Sequence, residues 1–286
     1  MTTHALRGFD ARVSVLSVLE KRGMLELYQF EMSHYVEKIR LILDYKGLEY
    51  RRINVAPGMG QLDLMQISGQ RQVPVLKDGS EIIADSTAIA EYLDKQYPDK
   101  PIIPHDPKLR GLCLMMEQWA DESIGLNARK CLIGSLGQDQ SFRTAVLPSN
   151  TPDFLKNLVG SVPSDLFSFF GLGVGLGPDA IKSAHEAMKR DLTALCFILL
   201  EQPYLVTDHP TLADFAVAGL TMYVKFPEGH YLNIPESLKG KGVTGIADLG
   251  TFKPFFDWRD KLYADYRKPL TEMPPSGARP TSIEID

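Results

Sequence analysis

The stretch Gln72-Val73-Pro74-Val75-Leu76-Lys77-Asp78-Gly79 constrains this chain more than any other. Val73, Pro74, Val75 and Leu76 read as a buried strand, and Lys77-Asp78-Gly79 reads as the turn that ends it. A second short run follows at once, so residues 72–85 read as a hairpin. Proline has no N–H and cannot serve a central ladder. Pro74 therefore either opens its strand in the ordinary trans form or stands where the main chain turns away from the sheet. An amide-rich polar stretch, Gly69 to Gln72, sits just before it.

The elements around this hairpin follow from periodicity. Residues 24–30 half-alternate and predict a strand, and 34–47 carry a wide apolar face closed by Gly47, a helix with its natural stop. Residues 49–55 alternate as a second strand, 58–68 form a short helix or loop, and 86–98 form another helix with Ile89, Tyr92 and Leu93 inward. The order β-α-β-α-β-β-α predicts a compact α/β unit over residues 24–100. Pro101 to Pro107, proline-rich, reads as a linker. Helical spacing then dominates, at 109–136, 179–202, 211–226 and 254–267, so residues 108–270 are expected to be all-helical with an irregular insert at 137–178. Residues 1–23 read as a loosely attached extension rather than a signal peptide, and 271–286 as a tail.

Composition narrows the function. Of the 286 residues 44% are hydrophobic and 23% charged, ordinary for a water-soluble domain. A net charge of −5 makes no case for nucleic acid or an anionic membrane surface, and no apolar run is long enough to span a bilayer. Cys113, Cys131 and Cys196 are scattered, which fits a reducing compartment and gives no metal-type spacing and no C-x-x-C for disulfide exchange. The run at 171–177, Gly-Leu-Gly-Val-Gly-Leu-Gly, lacks both nucleotide-loop spacings and reads as a helix connection.

A β-α-β unit followed by an X-Pro hairpin and a helix is a thioredoxin-like pattern. Within that pattern a cis bond into Pro74 turns the Val73 N–H and C=O toward a peptide-like ligand. Four segments then carry a more specific resemblance: Ser33 to Arg40, Gly69 to Leu76, Ala84 to Asp94 and Pro210 to Leu220. In order and spacing they resemble the cytosolic glutathione S-transferases, with zeta- and omega-like N-terminal motifs, across residues 24 to 268. The resemblance implies a thioredoxin-like α/β N-terminal domain followed by an all-α domain, glutathione as co-substrate, no metal, a small apolar electrophile as second substrate, a homodimer and a cytoplasmic setting in detoxification.

It also assigns roles to residues. Asp85 is expected to accept the ammonium of the γ-glutamyl group, and Ser86 with the helix amides to hold its carboxylate, as helix N-termini hold anions; Ser86 reads equally as the helix N-cap. Val73, before Pro74, is expected to pair its backbone with the cysteinyl part, and Gln72 to donate nearby or to line a solvated edge. Arg71 and Lys38 are possible partners of the glycyl carboxylate. Ser33, seven residues before Arg40, occupies the position of the zeta-class serine and ranks first as donor to the thiolate; it reads also as an N-cap. Tyr28 ranks second and His34 third. No cysteine lies there, against the omega-like mixed-disulfide mode. Met115, Met116 and Trp119 are expected to face the second substrate or, in part, to be plain core. Thr211-Leu212-Ala213-Asp214 reads as a capping box that serves folding. The competing reading is a non-catalytic protein that binds glutathione and carries or senses a ligand. The scheme fails if the bond into Pro74 is trans and both Asp85 and Ser86 are closed to solvent.

Overall fold

A computed structural model describes residues 23–56, 58–138, 140–145 and 177–270, with isolated positions 157, 160 and 161. Most of the expected insert, including residues 171–176 of the glycine run, the tail and residues 1–22 lie outside the described residues.

The first unit is the expected series. Strand β1 (Leu25–Gln29), helix α1 (His34–Lys46), β2 (Tyr50–Asn54), α2 (Met59–Ser68), β3 (Val75–Asp78), β4 (Glu81–Ala84) and α3 (Ser86–Gln96) follow in order. The sheet runs β2-β1-β3-β4, with β1 and β2 parallel and the other pairs antiparallel. Along β1 burial alternates, so Leu25, Leu27 and Gln29 face the interior while Glu26 and Tyr28 share the other face. Helix α1 ends at Gly47, in the left-handed region at φ 72°, where glycine carries no Cβ penalty.

The helical part comprises α4 (Pro107–Trp119), a π-helical turn (Ala120–Gly125), α5 (Leu126–Gln138), α6 (Gln140–Ala145), α7 (Pro178–Glu201), α8 (Leu212–Leu220) and α9 (Lys253–Tyr266). The single helix expected over 109–136 is thus two helices joined by a widened turn. The Pro101–Pro107 linker is not free: Ile102 and Ile103 are buried, and the Ile102 carbonyl accepts from Leu212 N–H at 2.7 Å.

The two units share one core. All nine residues of α8 are buried, and α8 packs on α1, itself mostly buried. Leu27, Ile39 and Leu43 belong to the same apolar cluster as Phe215, Val217 and Leu220. Each such fully buried side chain contributes about 1.5–3 kcal/mol. Backbones come close where α8 carries Gly219: a Cβ there would lie 2.7 Å from the Lys38 nitrogen. The capping box is present as expected. Asp214 accepts from Thr211 N–H and Leu205 N–H, both at 2.8 Å, and from the Thr211 hydroxyl at 2.7 Å.

Candidate functional site

Register brings the expected site together. Tyr28 on β1 pairs with Val75 on β3, which pairs with Ala84 on β4. The chain just beyond each of these, Phe30 to Ser33, Val73-Pro74 and Asp85-Ser86, therefore emerges at one end of the sheet. Helices α1 and α3 both begin there. Open N–H groups of two helices at a sheet end suit an anionic or peptide-like ligand.

The peptide bond between Val73 and Pro74 is cis. Strand β3 begins only at Val75, so Val73 stands outside the ladder. Pro74 is buried, and Gln72 and Arg71 are exposed.

Ser33 is the N-cap of α1. Its Oγ accepts the Val36 N–H at 3.3 Å and its carbonyl accepts the Glu37 N–H at 3.0 Å. Capping uses a lone pair of the hydroxyl and leaves its proton available. The two roles read for Ser33 in the sequence are therefore compatible.

His34 is buried, with Nε2 donating to the Gly125 carbonyl at 3.1 Å and its ring between Tyr35 and Tyr223 at centroid distances of 4.4 and 4.3 Å. Burial pushes its pKa down to about 3, against the help of that carbonyl, so the ring is neutral and Nδ1 is a bare, unpartnered acceptor. Tyr28 lies on the face of β1 that carries Glu26; burial first, then the Glu26 charge, raise its pKa and keep its proton on.

At α3 the assignments divide differently from expectation. The N-cap is Asp85, not Ser86: Asp85 Oδ1 accepts the N–H of Thr87 at 2.9 Å and of Ala88 at 3.1 Å. Asp85 is exposed and sits at φ 80°, a left-handed conformation that costs a non-glycine residue of order 1–3 kcal/mol. Ser86 is buried. Its Oγ lies 3.4 Å from Lys38 Nζ and donates to Asp121 at 3.4 Å.

Lys38 is fully buried and is no partner for a glycyl carboxylate. Its ammonium donates to Glu117 at 2.5 Å, to both Asp121 oxygens at 3.0 Å and to Thr87 at 3.5 Å. Thr87 in turn donates to Glu117 at 2.6 Å and Asp121 at 3.1 Å. Burial, with Glu117 beside it, raises the Asp121 pKa despite the opposing Lys38 charge. One cation and two carboxylates thus close the inner wall behind the mouth of α3. The sequence does hold a signal for this wall: Glu117 falls at helical spacing between buried Cys113 and Ala120, where an apolar residue is expected.

Of the residues expected to face a second substrate, Met115 is 61% exposed, and Met116 and Trp119 are partly buried against the main core. Among the described residues no cluster of three or more His, Cys, Asp or Glu could hold a metal ion, and no helix is long and apolar enough to cross a membrane.

Residues 27–101 match the family model described as glutathione S-transferase, N-terminal domain. Glutathione S-transferase Z2 of Arabidopsis thaliana is 39% identical over 94 residues, 32% of this chain and 42% of that protein. A stringent starvation protein A homolog of Haemophilus ducreyi is 31% identical over 91 residues, 32% of this chain and 42% of that protein. The chain spans half or less of the length of these curated relatives. Among solved structures, the beta-etherase LigF of Sphingobium sp. strain SYK-6 superimposes with a TM-score of 0.62 at 21% identity, covering 85% of this chain and 96% of the other. FzlA from C. crescentus gives 0.58 at 18% identity, covering 85% and 88%. These likenesses show the fold of both units.

Proposed function

We propose, from the match of residues 27–101 to the N-terminal domain of the glutathione S-transferase family, that this chain binds glutathione, holds the thiol as a thiolate and adds it to, or isomerises through it, a small apolar electrophile. The observation that carries this reading is Ser33: a hydroxyl with a free proton, at the mouth of α1, at the sheet end where Val73 lies outside the ladder. A free thiol has a pKa near ~8.5, and each unit of depression takes about 1.4 kcal/mol. One charge-assisted hydrogen bond, at about 1.5–3 kcal/mol, with a helix N-terminus at about 0.3–1 kcal/mol, lowers it by roughly two units.

In this reading the Val73 backbone pairs with the cysteinyl unit, with Pro74 and Gln72 flanking it, and Asp85 Oδ2 receives the γ-glutamyl ammonium. The Ser86 N–H is the amide left at the helix mouth, since Asp85 takes those of Thr87 and Ala88. Met115, with Met116 and Trp119, borders the electrophile. The working form is a cytoplasmic homodimer.

One observation favours a second reading, a glutathione-dependent ligand-binding protein without turnover. The Ser86 hydroxyl already faces Lys38 and Asp121, so the protein's own groups fill part of the carboxylate site. Calorimetry with glutathione, run beside conjugation assays on a panel of electrophiles for the wild type, Ser33→Ala and Tyr28→Phe, separates the two. Turnover that collapses in Ser33→Ala and survives in Tyr28→Phe supports the transferase with Ser33 as donor. Binding without turnover across the panel supports the second reading, and no binding ends both.

A further inference from the structure

The loop that carries Ser33 is held from outside its own domain. Tyr223, just beyond α8, donates its hydroxyl to the Met32 carbonyl at 2.5 Å. His34 donates to the Gly125 carbonyl, and Tyr35 donates to the Asp121 carbonyl at 3.0 Å. The residue before Ser33 and the two after it thus each bond to the helical domain. Asp121 and Gly125 are four residues apart in the π turn Ala120–Gly125, on one face of the helix. A π turn loosens the carbonyls from the regular ladder and frees them for such side chains. Gly125 leaves room for the Tyr35 bond, since a Cβ would lie 2.8 Å from the Tyr35 hydroxyl and displace it. The Tyr223 ring also stacks on His34, and burial pushes its pKa up to about 12, so its proton stays available to Met32.

Resting on the reading of Ser33 as the thiol's donor, we propose that Tyr223, together with the π turn that holds His34 and Tyr35, is a positioning residue that sets where the Ser33 hydroxyl points. Within the domain the loop has a turn bond, Ser33 N–H to the Phe30 carbonyl at 3.0 Å, and Arg40 contacts with the Glu31 carbonyl at 3.2 Å and carboxylate at 3.1 Å, all on the β1 side, while the cap bonds of Ser33 to Val36 and Glu37 lie on the α1 side. The Tyr223 bond is the contact on the carbonyl immediately preceding Ser33, so it governs the rotation of that peptide plane and the direction of the Ser33 Cα–Cβ bond. Donor placement is sensitive: an error of about 1 Å costs on the order of a hundredfold in rate.

The test compares Tyr223→Phe with Tyr204→Phe, a control that loses a tyrosine–tyrosine hydroxyl contact of 3.0 Å to Tyr266, remote from the loop. Amide hydrogen exchange of residues 31–36 is followed in the free proteins, and the ultraviolet thiolate absorbance of bound glutathione is titrated against pH. Tyr223→Phe keeps the ring and its stacking. It is expected to speed exchange in the loop, to raise the bound thiol's pKa by about one unit, and to lower kcat about tenfold with the KM for glutathione within about twofold. Tyr204→Phe is expected to match the wild type in all three. Equal loop exchange and equal thiol pKa in the two variants overturn the proposal. A wild type that forms no thiolate on binding glutathione refutes the reading of function instead, and the loop-exchange comparison alone then decides whether Tyr223 holds the loop.

Discussion

Replacing Lys38 with methionine removes the cation that Glu117 and Asp121 share while keeping most of the side chain's volume. Lys38 is 0% exposed, Glu117 2% and Asp121 14%, so the group is shielded from water on nearly every side. Removing one partner of a buried ion pair leaves an uncompensated charge and costs about 3–5 kcal/mol. Here two carboxylates are left facing each other with Thr87 as their remaining shared donor. That loss is a large fraction of the roughly 5–15 kcal/mol that holds a domain folded. The pH dependence has a definite sign. Burial already raises the Asp121 pKa, and loss of Lys38 removes the main influence that lowers it. A carboxyl whose folded pKa lies above its unfolded value binds more protons when folded, so stability rises as pH falls toward about 4, at about 1.4 kcal/mol per unit for one proton. The deficit of Lys38→Met is therefore expected to be largest at pH 7 and to shrink toward pH 5. Adding Glu117→Gln is expected to restore a large part of it. Urea unfolding at the two pH values measures both effects. A loss under about 1 kcal/mol, or one equal at both pH values, refutes the argument that a buried, shared charge holds this wall together.

Two other perturbations probe the same frame. His34 is neutral in the fold, with a pKa pushed down to about 3 by burial, whereas an unfolded histidine titrates near ~6.5; its stabilisation is complete above about 6.5 and is lost as pH falls toward 3, so His34→Gln is expected to unfold with a shallower acid limb in denaturation midpoints taken across that range. Gly219→Ala places a Cβ 2.7 Å from the backbone nitrogen of Lys38, and the overpacking is expected to cost about 1–3 kcal/mol or more in chemical denaturation, against a gain of about 0.5–1 kcal/mol for Gly111→Ala inside α4, where nothing lies within 4 Å.

Much of this protein is written locally. Alternation at residues 24–30 and 49–55, the 3.6-residue spacing of α1, α3 and α7, the Val-Pro step and the Thr211–Asp214 capping box each act over a few neighbours, and each element stands where those neighbours put it. Ser33 is legible for the same reason, because an N-cap is a local device. What escapes local reading depends on partners far along the chain. Lys38 resembles a ligand-binding cation until the fold places it against Glu117 and Asp121, 79 and 83 residues away. The hydroxyl of Ser86 is claimed by the same wall, through Asp121 of the π turn 35 residues away, and Asp85 holds the capping role. The break in the 109–136 helix coincides with carbonyls taken by His34 and Tyr35, and Tyr223 reaches Met32 across 191 residues. Propensity and periodicity are sums over adjacent residues, whereas a buried charge or a lone hydroxyl acquires its role only from whatever the folded chain sets beside it.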